Sequence, residues 1–293
     1  MSAGLAAAYL RVQGDEAAFI ETNTTHAAPL LLRSLAEQGL DRSQVRYVIV
    51  THVHLDHAGG ASALMAACPN ATLLAHPRAA RHLIDPAKLV ASARAVYGAE
   101  RFDTLYGTIE PIDAARVTSL DDGASVAFGD ATLRFWHTRG HANHHFVVHD
   151  DARDTVYTGD AFGLVYPRLQ RGTRFAFPST SPTDFDADAA LASLDRILAL
   201  GTRSACLTHF GEIEDLHVVA DQLRTWLRLS AKLVEEAAGR ADAESYIHAR
   251  LESALLQSAA DAGIVVDAGD RELLAFDLAL NAQGLAHAAS KKA

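Results

Sequence analysis

The chain has 293 residues, of which 49% are hydrophobic, so it is long enough for one large domain or for one domain with an extension. Its formal net charge of −10 argues against a nucleic-acid scaffold, and no apolar run reaches the roughly 18 residues needed to span a membrane. The two cysteines, Cys68 and Cys206, lie far apart and in no Cys-x-x-Cys pattern, which argues against a disulfide framework and favours a reducing cytoplasmic location.

The first third of the chain alternates between strand and helix patterns. The N-terminus is small and apolar and lacks the positive region of a signal peptide, so we expect a strand there. The predicted elements are the strands Ala6–Gln13 and Ala17–Thr22 joined by a turn at Gly14-Asp15, a helix capped by Thr24 or Thr25 and ending near Gly39, the strand Val45–Val50, a short helix beginning near Gly60, and the strand Ala71–Ala75. This order favours a layered α/β fold.

The densest cluster of chemically active residues follows the apolar, β-branched run Val45–Val50. Three histidines and one aspartate lie within six positions there, namely His52, His54, Asp56 and His57. If the strand continued, His52 and His54 would share one of its faces, whereas the other two would fall in a turn. Imidazole and carboxylate groups suit zinc, iron or manganese, so we interpret this segment as part of a metal site.

The segment His76–Pro111 is mostly helical by pattern. A span of this length between two groups of candidate ligands is a candidate lid or substrate wall, and we predict that it lines the pocket. The sequence fits an ordinary helical connection equally well.

The rest of the chain returns to strands and then becomes helical. The predicted elements are strands within Val117–His137, a hairpin formed by His145–His149 and Thr155–Thr158, a helix capped by Asp184 or Asp186, a last short strand Ala205–Thr208, and helices from about residue 216 to the end. The helical end is either an extension packed on the α/β domain or a dimer contact. We therefore expect a catalytic domain at 1–215, an α-helical extension at 216–293, and a possible homodimer.

Three further positions place a metal-ligand residue directly after a predicted strand. They are His141, Asp160 and His209, and the glycines before the first two would let the backbone turn sharply. Each is a weak signal alone, because a single histidine is more often structural. Together with the cluster they complete a nitrogen and oxygen ligand set for two ions.

The motifs as a set resemble those of the metallo-β-lactamase superfamily. The His-x-His-x-Asp-His signature corresponds to residues 52–57, the Thr-Pro-Gly-His step to Thr138–His141, the Thr-Gly-Asp step to Thr158–Asp160, and the Thr-His step to Thr208-His209. The resemblance covers roughly residues 5–212. It implies a four-layer αββα sandwich, to which this chain adds the C-terminal helices.

The resemblance also implies how the ligands divide. His52, His54 and His141 would hold one ion, Asp56, His57 and His209 would hold the other, and Asp160 would bridge them. The ions would be two divalent metals, with zinc expected first and iron or manganese as alternatives.

Two departures from the family pattern stand out. Arg139 replaces the usual proline, and Glu21 stands where the family has an aspartate. That acid usually orients a ligand, so the longer Glu21 side chain is expected either to keep this role or to lie at a strand end on the surface.

The expected activity is the hydrolysis of an ester, lactone or thioester by a hydroxide shared between the two ions. Asp56 is expected to accept a hydrogen bond from this hydroxide, and Tyr166 to donate one to the substrate carbonyl, unless it is a core tyrosine. The aspartate at position 160 favours the glyoxalase II, lactonase and phosphodiesterase branches over β-lactamases with a cysteine ligand. A persulfide dioxygenase with a single iron is the alternative from another class, as is a metal-retaining binding protein without catalysis.

The expected partner is a small-molecule substrate, with no nucleic acid and no membrane. Arg168, Arg171 and Arg174 form a basic run that would either bind an anionic substrate or lie in a solvated loop. No convincing basic cluster for a glutathione carboxylate is present in the C-terminal helices.

Overall fold

The computed structural model describes residues 5–180 and 183–292, apart from the side chain of residue 96. The described residues form two compact units. The first contains the chain up to His137 together with His144–Gly159, and the second contains Thr138–Asn143 together with the chain from Asp160 onward. A long helix begins at Leu216, whereas the two units divide elsewhere along the chain, so the boundary predicted near residue 215 stays a prediction.

The first unit contains a five-stranded sheet. Its strands are β1 (Tyr9–Gln13), β2 (Glu16–Ile20), β3 (Val45–Ile49), β4 (Thr72–Ala75) and β5 (Val117–Ser119), in that spatial order. β1 and β2 form the predicted antiparallel hairpin, and the later pairs are parallel. Because parallel strands are buried on both faces, their sequences read as continuous apolar runs, as in the Val48-Ile49-Val50 step.

Four antiparallel strands form the second sheet of this unit. They are β6 (Ser125–Phe128), β7 (Ala131–His137), β8 (Phe146–Asp150) and β9 (Thr155–Gly159), and each pairs with the next. The sheet packs against the first one. The buried Arg11 Nε lies 2.5 Å from Asp150 Oδ2, and the Tyr47 hydroxyl donates to the Ala127 carbonyl at 3.0 Å. The unit is therefore a β-sandwich.

Helices cover the outer face of the parallel sheet. The helices of this unit are α1 (Ala28–Glu37), α2 (Leu55–Ala58), α3 (Ala61–Ala67), α4 (Pro77–Ile84), α5 (Ala87–Tyr97) and α6 (Ala99–Tyr106). The first core cluster joins Leu35 of α1, Leu64 of α3 and Leu83 of α4 to the strands. Burial of these apolar side chains is the main stabilising contribution of this layer.

The second unit is mostly helical. Its elements are α7 (Ala187–Ala199), the antiparallel pair β10 (Ser204–Leu207) and β11 (Gly211–Ile213), α8 (Leu216–Ala237), α9 (Ala243–Asp261) and α10 (Ala268–Ser290). The C-terminal helical extension is thus present. Among the described residues, none of the helices has both the length and the apolar character that a membrane crossing requires.

The structure corrects two sequence-based expectations. The strand predicted to be the last, now β10, is followed by the short β11, which the sequence did not indicate. His52 and His54 do not lie on a strand, because β3 ends at Ile49 and His54 caps the one-turn helix α2, which also holds Asp56 and His57.

Candidate metal centre

The first group of candidate ligands lies where the chain leaves the parallel sheet. The last backbone bonds of β3 run from Glu21 N to Ile49 O and from Val50 N to Leu74 O, and the chain then turns into α2. Gly60 closes this turn, because its amide donates to the Asn23 carbonyl at 2.8 Å and a Cβ there would lie 2.5 Å from the Thr22 oxygen. The glycine thus lets the ligand-bearing turn pack directly against the end of β2.

Four side chains meet in this turn. The ring centroids of His52 and His57 are 4.0 Å apart, and Nε2 of His52 lies 2.9 Å from Nδ1 of His54. Nε2 of His57 lies 3.6 Å from Oδ2 of Asp56. His52 and His57 are fully buried, whereas the Asp56 side chain is 31% exposed. The turn therefore gathers three imidazoles and a carboxylate, although not on the strand face that the sequence suggested.

Glu21 contacts His57 on the Nδ1 side of its ring, opposite Nε2. It is buried and takes the left-handed backbone conformation, with φ of 66°. Its Oε1 accepts a hydrogen bond from Thr51 N at 3.3 Å, and its Oε2 lies 3.4 Å from His57 Nδ1. Thr22 donates to the His57 carbonyl from both its amide and its hydroxyl. With Nδ1 facing Glu21, the His57 ring presents Nε2 on the side of Asp56.

The second group of candidate ligands is gathered in the second unit. Asp160 lies between two buried histidines, with Oδ2 3.4 Å from His141 Nε2 and Oδ1 3.5 Å from His209 Nε2. His141 Nδ1 lies 3.1 Å from the Ser179 carbonyl, which fixes its tautomer and leaves Nε2 for a metal. Each carboxylate oxygen therefore faces a different imidazole.

These separations fit metal ligands. Zinc binds imidazole and carboxylate at about 2.0–2.1 Å, so two ligand atoms of one tetrahedral ion lie about 3.3–3.4 Å apart. The two distances at Asp160 are close to this value, and each of the seven predicted residues is a candidate metal ligand. Both cysteines are buried, and Cys206 lies in β10 as core, so the donor set contains only nitrogen and oxygen. Such a set suits zinc, iron or manganese.

Tyr166 lies beside the second group. Its side chain is buried, and its ring centroid is 6.2 Å from that of His209 and 6.0 Å from that of Phe177. The ring thus packs against a candidate ligand, a position compatible with either a wall residue or a hydrogen-bond donor. Its predicted contact with the substrate carbonyl stays a prediction.

The three arginines after Tyr166 are paired with acids. Arg168 and Arg171 both contact the fully buried Asp270 carboxylate at the start of α10, at 2.8 and 2.5 Å, and these hydrogen bonds lower the Asp270 pKa. Arg174 contacts Asp215 at 2.7 Å. The basic run therefore anchors the C-terminal helices. This role differs from both alternatives raised by the sequence, namely binding of an anionic substrate and a solvated loop.

Two further histidines also lie near the first group. The ring of His144 is 6.0 Å from that of His52, and the ring of His145 is 4.9 Å from it. A Cβ at Gly159 would lie 2.5 Å from both His145 Nε2 and Thr51 Oγ1, so this glycine permits the close packing. Sequence spacing carried no signal for this proximity, which is accompanied by a long-range hydrogen bond from Phe146 N to the Thr51 carbonyl at 3.0 Å.

His76 caps α4 with a neutral imidazole. Its Nδ1 accepts a hydrogen bond from the Arg78 amide at 3.0 Å, and its ring is 4.1 Å from that of His137. Burial, followed by the charges of His137, His144 and Arg78, lowers the pKa of His76 to about 3, against a smaller opposite effect of Asp122. A protonated ring would also lose its role as acceptor.

We predict that His76 makes the fold acid-sensitive. Because its pKa is lowered on folding, the unfolded chain binds the proton first, so the stabilisation is complete above about pH 6.5 and is lost as the pH falls toward 3. The His76→Asn variant keeps a capping side chain but does not titrate. Between pH 7 and 5 the metal-free wild type should lose about 1–2 kcal/mol more unfolding free energy than this variant, measured by urea denaturation. The exposed His217→Asn is the control, and equal losses in the wild type and His76→Asn would contradict the prediction.

The helical segment proposed as a lid touches the ligand turn. Leu55, the neighbour of Asp56, packs with Phe102 and Tyr106 in a small cluster with α5 and α6. Burial, a hydrogen bond with Tyr97 and the Asp56 carboxylate raise the pKa of Tyr106, so its hydroxyl stays protonated. The predicted role as a substrate wall stays a prediction.

Comparisons with known proteins agree on one family. The family model described as the metallo-beta-lactamase superfamily matches residues 3–209. A metallo-beta-lactamase fold-containing protein of Sulfurisphaera tokodaii is 28% identical over 169 residues, which is 56% of this chain and 60% of the relative. A hydroxyacylglutathione hydrolase of Tolumonas auensis is 27% identical over 176 residues, or 56% of this chain and 54% of the relative. The matched region thus spans little more than half of these curated relatives.

Similar solved structures extend over the helical end. An archaeal superfamily protein from Sulfolobus tokodaii matches with a TM-score of 0.64 at 19% identity, covering 96% of this chain and 93% of its own. A family protein from Thermus thermophilus matches with a TM-score of 0.62 at 21% identity, covering 96% and 86%. At these identities the likeness shows a shared fold that includes the C-terminal helices.

Proposed function

The chain belongs to the metallo-beta-lactamase superfamily, and we propose that it is a metal-dependent hydrolase that cleaves an ester, a lactone or a thioester with a pair of divalent ions. One ion would be held by His52, His54 and His141 and the other by Asp56, His57 and His209. Asp160 would ligate both. Zinc is the first expectation because it suits this donor set and has no redox chemistry of its own.

The observation that carries the proposal is the setting of Asp160. A buried carboxylate that turns one oxygen to each of two buried histidines, at ligand-to-ligand distances, is suited to bridge two cations. His57 Nε2 and Asp56 Oδ2 lie 3.6 Å apart, a similar separation, so they form a second pair of candidate ligand atoms for one of the ions.

The protein side chains would divide the work around the substrate. Two bound divalent ions supply an activated water and polarise the substrate carbonyl. Asp56, whose side chain is 31% exposed, is placed to accept the proton of the attacking water and to pass it on to the leaving group. Tyr166 would donate its hydroxyl to the carbonyl oxygen.

The substrate class follows in part from charge. Arg168, Arg171 and Arg174 are already paired with carboxylates, so they supply no unpaired charge for a strongly anionic substrate. This favours a neutral ester or lactone over a glutathione thioester. The likeness to a hydroxyacylglutathione hydrolase keeps the thioester as an explicit test substrate.

The test combines metal analysis with a substrate panel. We expect two divalent ions per chain, hydrolysis of at least one lactone, ester or thioester, loss of turnover after chelation, and recovery with zinc. A bis-aryl phosphodiester as the only substrate would move the protein to the phosphodiesterase branch. One iron per chain with oxygen consumption on a persulfide would replace the proposal by a dioxygenase, and turnover that survives complete metal removal would refute it.

A further inference from the structure

The loop that carries His141 is held against the start of α7. The Gly140 carbonyl accepts a hydrogen bond from Asp186 N at 2.9 Å, and the Arg139 carbonyl accepts one from Ser193 Oγ at 2.6 Å. Gly140 has φ of 122°, and a Cβ there would lie 2.3 Å from Ala190 N. The backbone before His141 is therefore fixed by contacts that only glycine permits.

A side-chain bridge closes the same loop on its other side. Nε and Nη2 of Arg139 donate to Oδ1 of Asn143 at 3.0 and 2.9 Å, so the guanidinium spans the loop with His141 at its centre. The backbone N–H of Asn143 in turn donates to Oδ2 of Asp184, which lies just before α7, at 3.3 Å. Arg139 and Asn143 thus tie both ends of the ligand-bearing loop.

From this geometry we propose that Arg139 is a positioning residue: its fork on Asn143 holds the loop so that His141 presents Nε2 to a metal ion. The inference rests on the proposed function, since it needs His141 to be a ligand. It also gives a physical reason for the departure from the family pattern. A proline at this position would restrict the backbone in every state of the chain, whereas the arginine restricts it only when the folded loop brings Asn143 within reach.

The consequence is specific to one ion. His141 has its own support at Nδ1 from the Ser179 carbonyl, so the loss of the bridge should loosen the ring without releasing it. Mutation of a residue that orients a metal ligand typically lowers metal affinity by about 10–100-fold. The Arg139–Asn143 bridge joins an exposed and a half-buried side chain, so we expect its loss to have an effect near or below the low end of this range.

The experiment measures both metal dissociation constants by competition with a chromophoric chelator. Arg139→Ala and Asn143→Ala should each raise one constant by about 3–10-fold and leave the other unchanged. The double variant should be no worse than either single variant, because both remove the same bridge. The absorption spectrum of the cobalt(II)-loaded protein should change in the same variants. Arg134→Ala, which removes a surface ion pair with Asp151 just past the neighbouring strand, is the matched control and should alter neither constant.

Three outcomes would overturn the inference. They are unchanged constants in Arg139→Ala, additive effects in the double variant, and a loss of metal-free stability that weakens both ions equally, which would indicate a merely structural role. Failure of the proposed function is distinguishable, because it would appear in the wild type itself, in the number of bound ions or in the substrate panel, without any of these variants.

Discussion

Replacing Asp160 by alanine is expected to abolish turnover and to lower the metal content. The carboxylate faces His141 with one oxygen and His209 with the other, so its removal takes a shared ligand and a negative charge from both ions. Loss of a group that only orients a ligand costs about 10–100-fold, and loss of a bridging ligand should exceed this in kcat. Bound metal is measured by elemental analysis after gel filtration, and turnover on whichever substrate the panel identifies. Full activity or two retained ions in Asp160→Ala would contradict the bridging role.

Two further variants separate the charge from the fold. Asp160→Asn keeps the side-chain volume but offers a neutral, weaker ligand, so it should resemble Asp160→Ala in metal content. Asp150→Asn breaks the buried ion pair with Arg11 in the same unit as the first ligand group. That change should lower the unfolding free energy by about 3–5 kcal/mol and leave the number of bound ions unchanged. The opposite pattern in these variants would mean that Asp160 acts through stability.

The sequence could predict the elements that depend on local pattern. The apolar run of β3, the hairpin turn at Gly14 and the cap at Asp186 have clear local causes, and each appears in the structure. The candidate ligands could also be predicted from local pattern, because histidines and aspartates directly follow the predicted strands. The short β11 was missed because three residues with little periodicity give no signal.

What the sequence could not predict depends on partners distant along the chain. β2 ends at Ile20, just before Glu21 with its left-handed backbone, and β3 ends at Ile49, so His52 lies beyond the strand. The pairing of Arg168 with Asp270 joins residues about a hundred positions apart. Neither charge pattern nor periodicity indicates such a pair, so the basic run looked free in the sequence.

The pattern of ion pairs also explains how the helical extension is attached. Asp270 forms a capping box with Asp267 at the start of α10 and accepts hydrogen bonds from Arg168 and Arg171. Arg168 lies in the one-turn helix Pro167–Leu169 that directly follows Tyr166, and Arg171 lies just past this helix. The loop that carries Tyr166 is therefore fixed by the C-terminal helices, which connects the extension to a predicted substrate contact.

The second large effect is expected at Glu21, whose replacement by alanine should weaken the ion held by His57. Its Oε2 lies 3.4 Å from His57 Nδ1, so the carboxylate stabilises the tautomer that carries its proton on Nδ1 and its lone pair on Nε2, the atom that would bind a metal. We expect the dissociation constant of that ion to rise by about 10–100-fold in Glu21→Ala, and by less in Glu21→Gln, which retains an acceptor oxygen. The measurement is the same chelator competition, with Glu16→Gln as the control, because Glu16 lies at the far end of β2 and accepts a hydrogen bond from Gly129.

The Glu21 and Arg139 variants together give a crossed test of the ligand assignment. Glu21 supports His57, which is assigned to one ion, and Arg139 supports the loop of His141, which is assigned to the other. If the assignment is correct, Glu21→Ala and Arg139→Ala weaken different ions, and their effects on the two constants add in the double variant because they share no ligand. If both variants weaken the same ion, His57 and His141 bind one metal together, and the division of the seven residues into two sets is wrong.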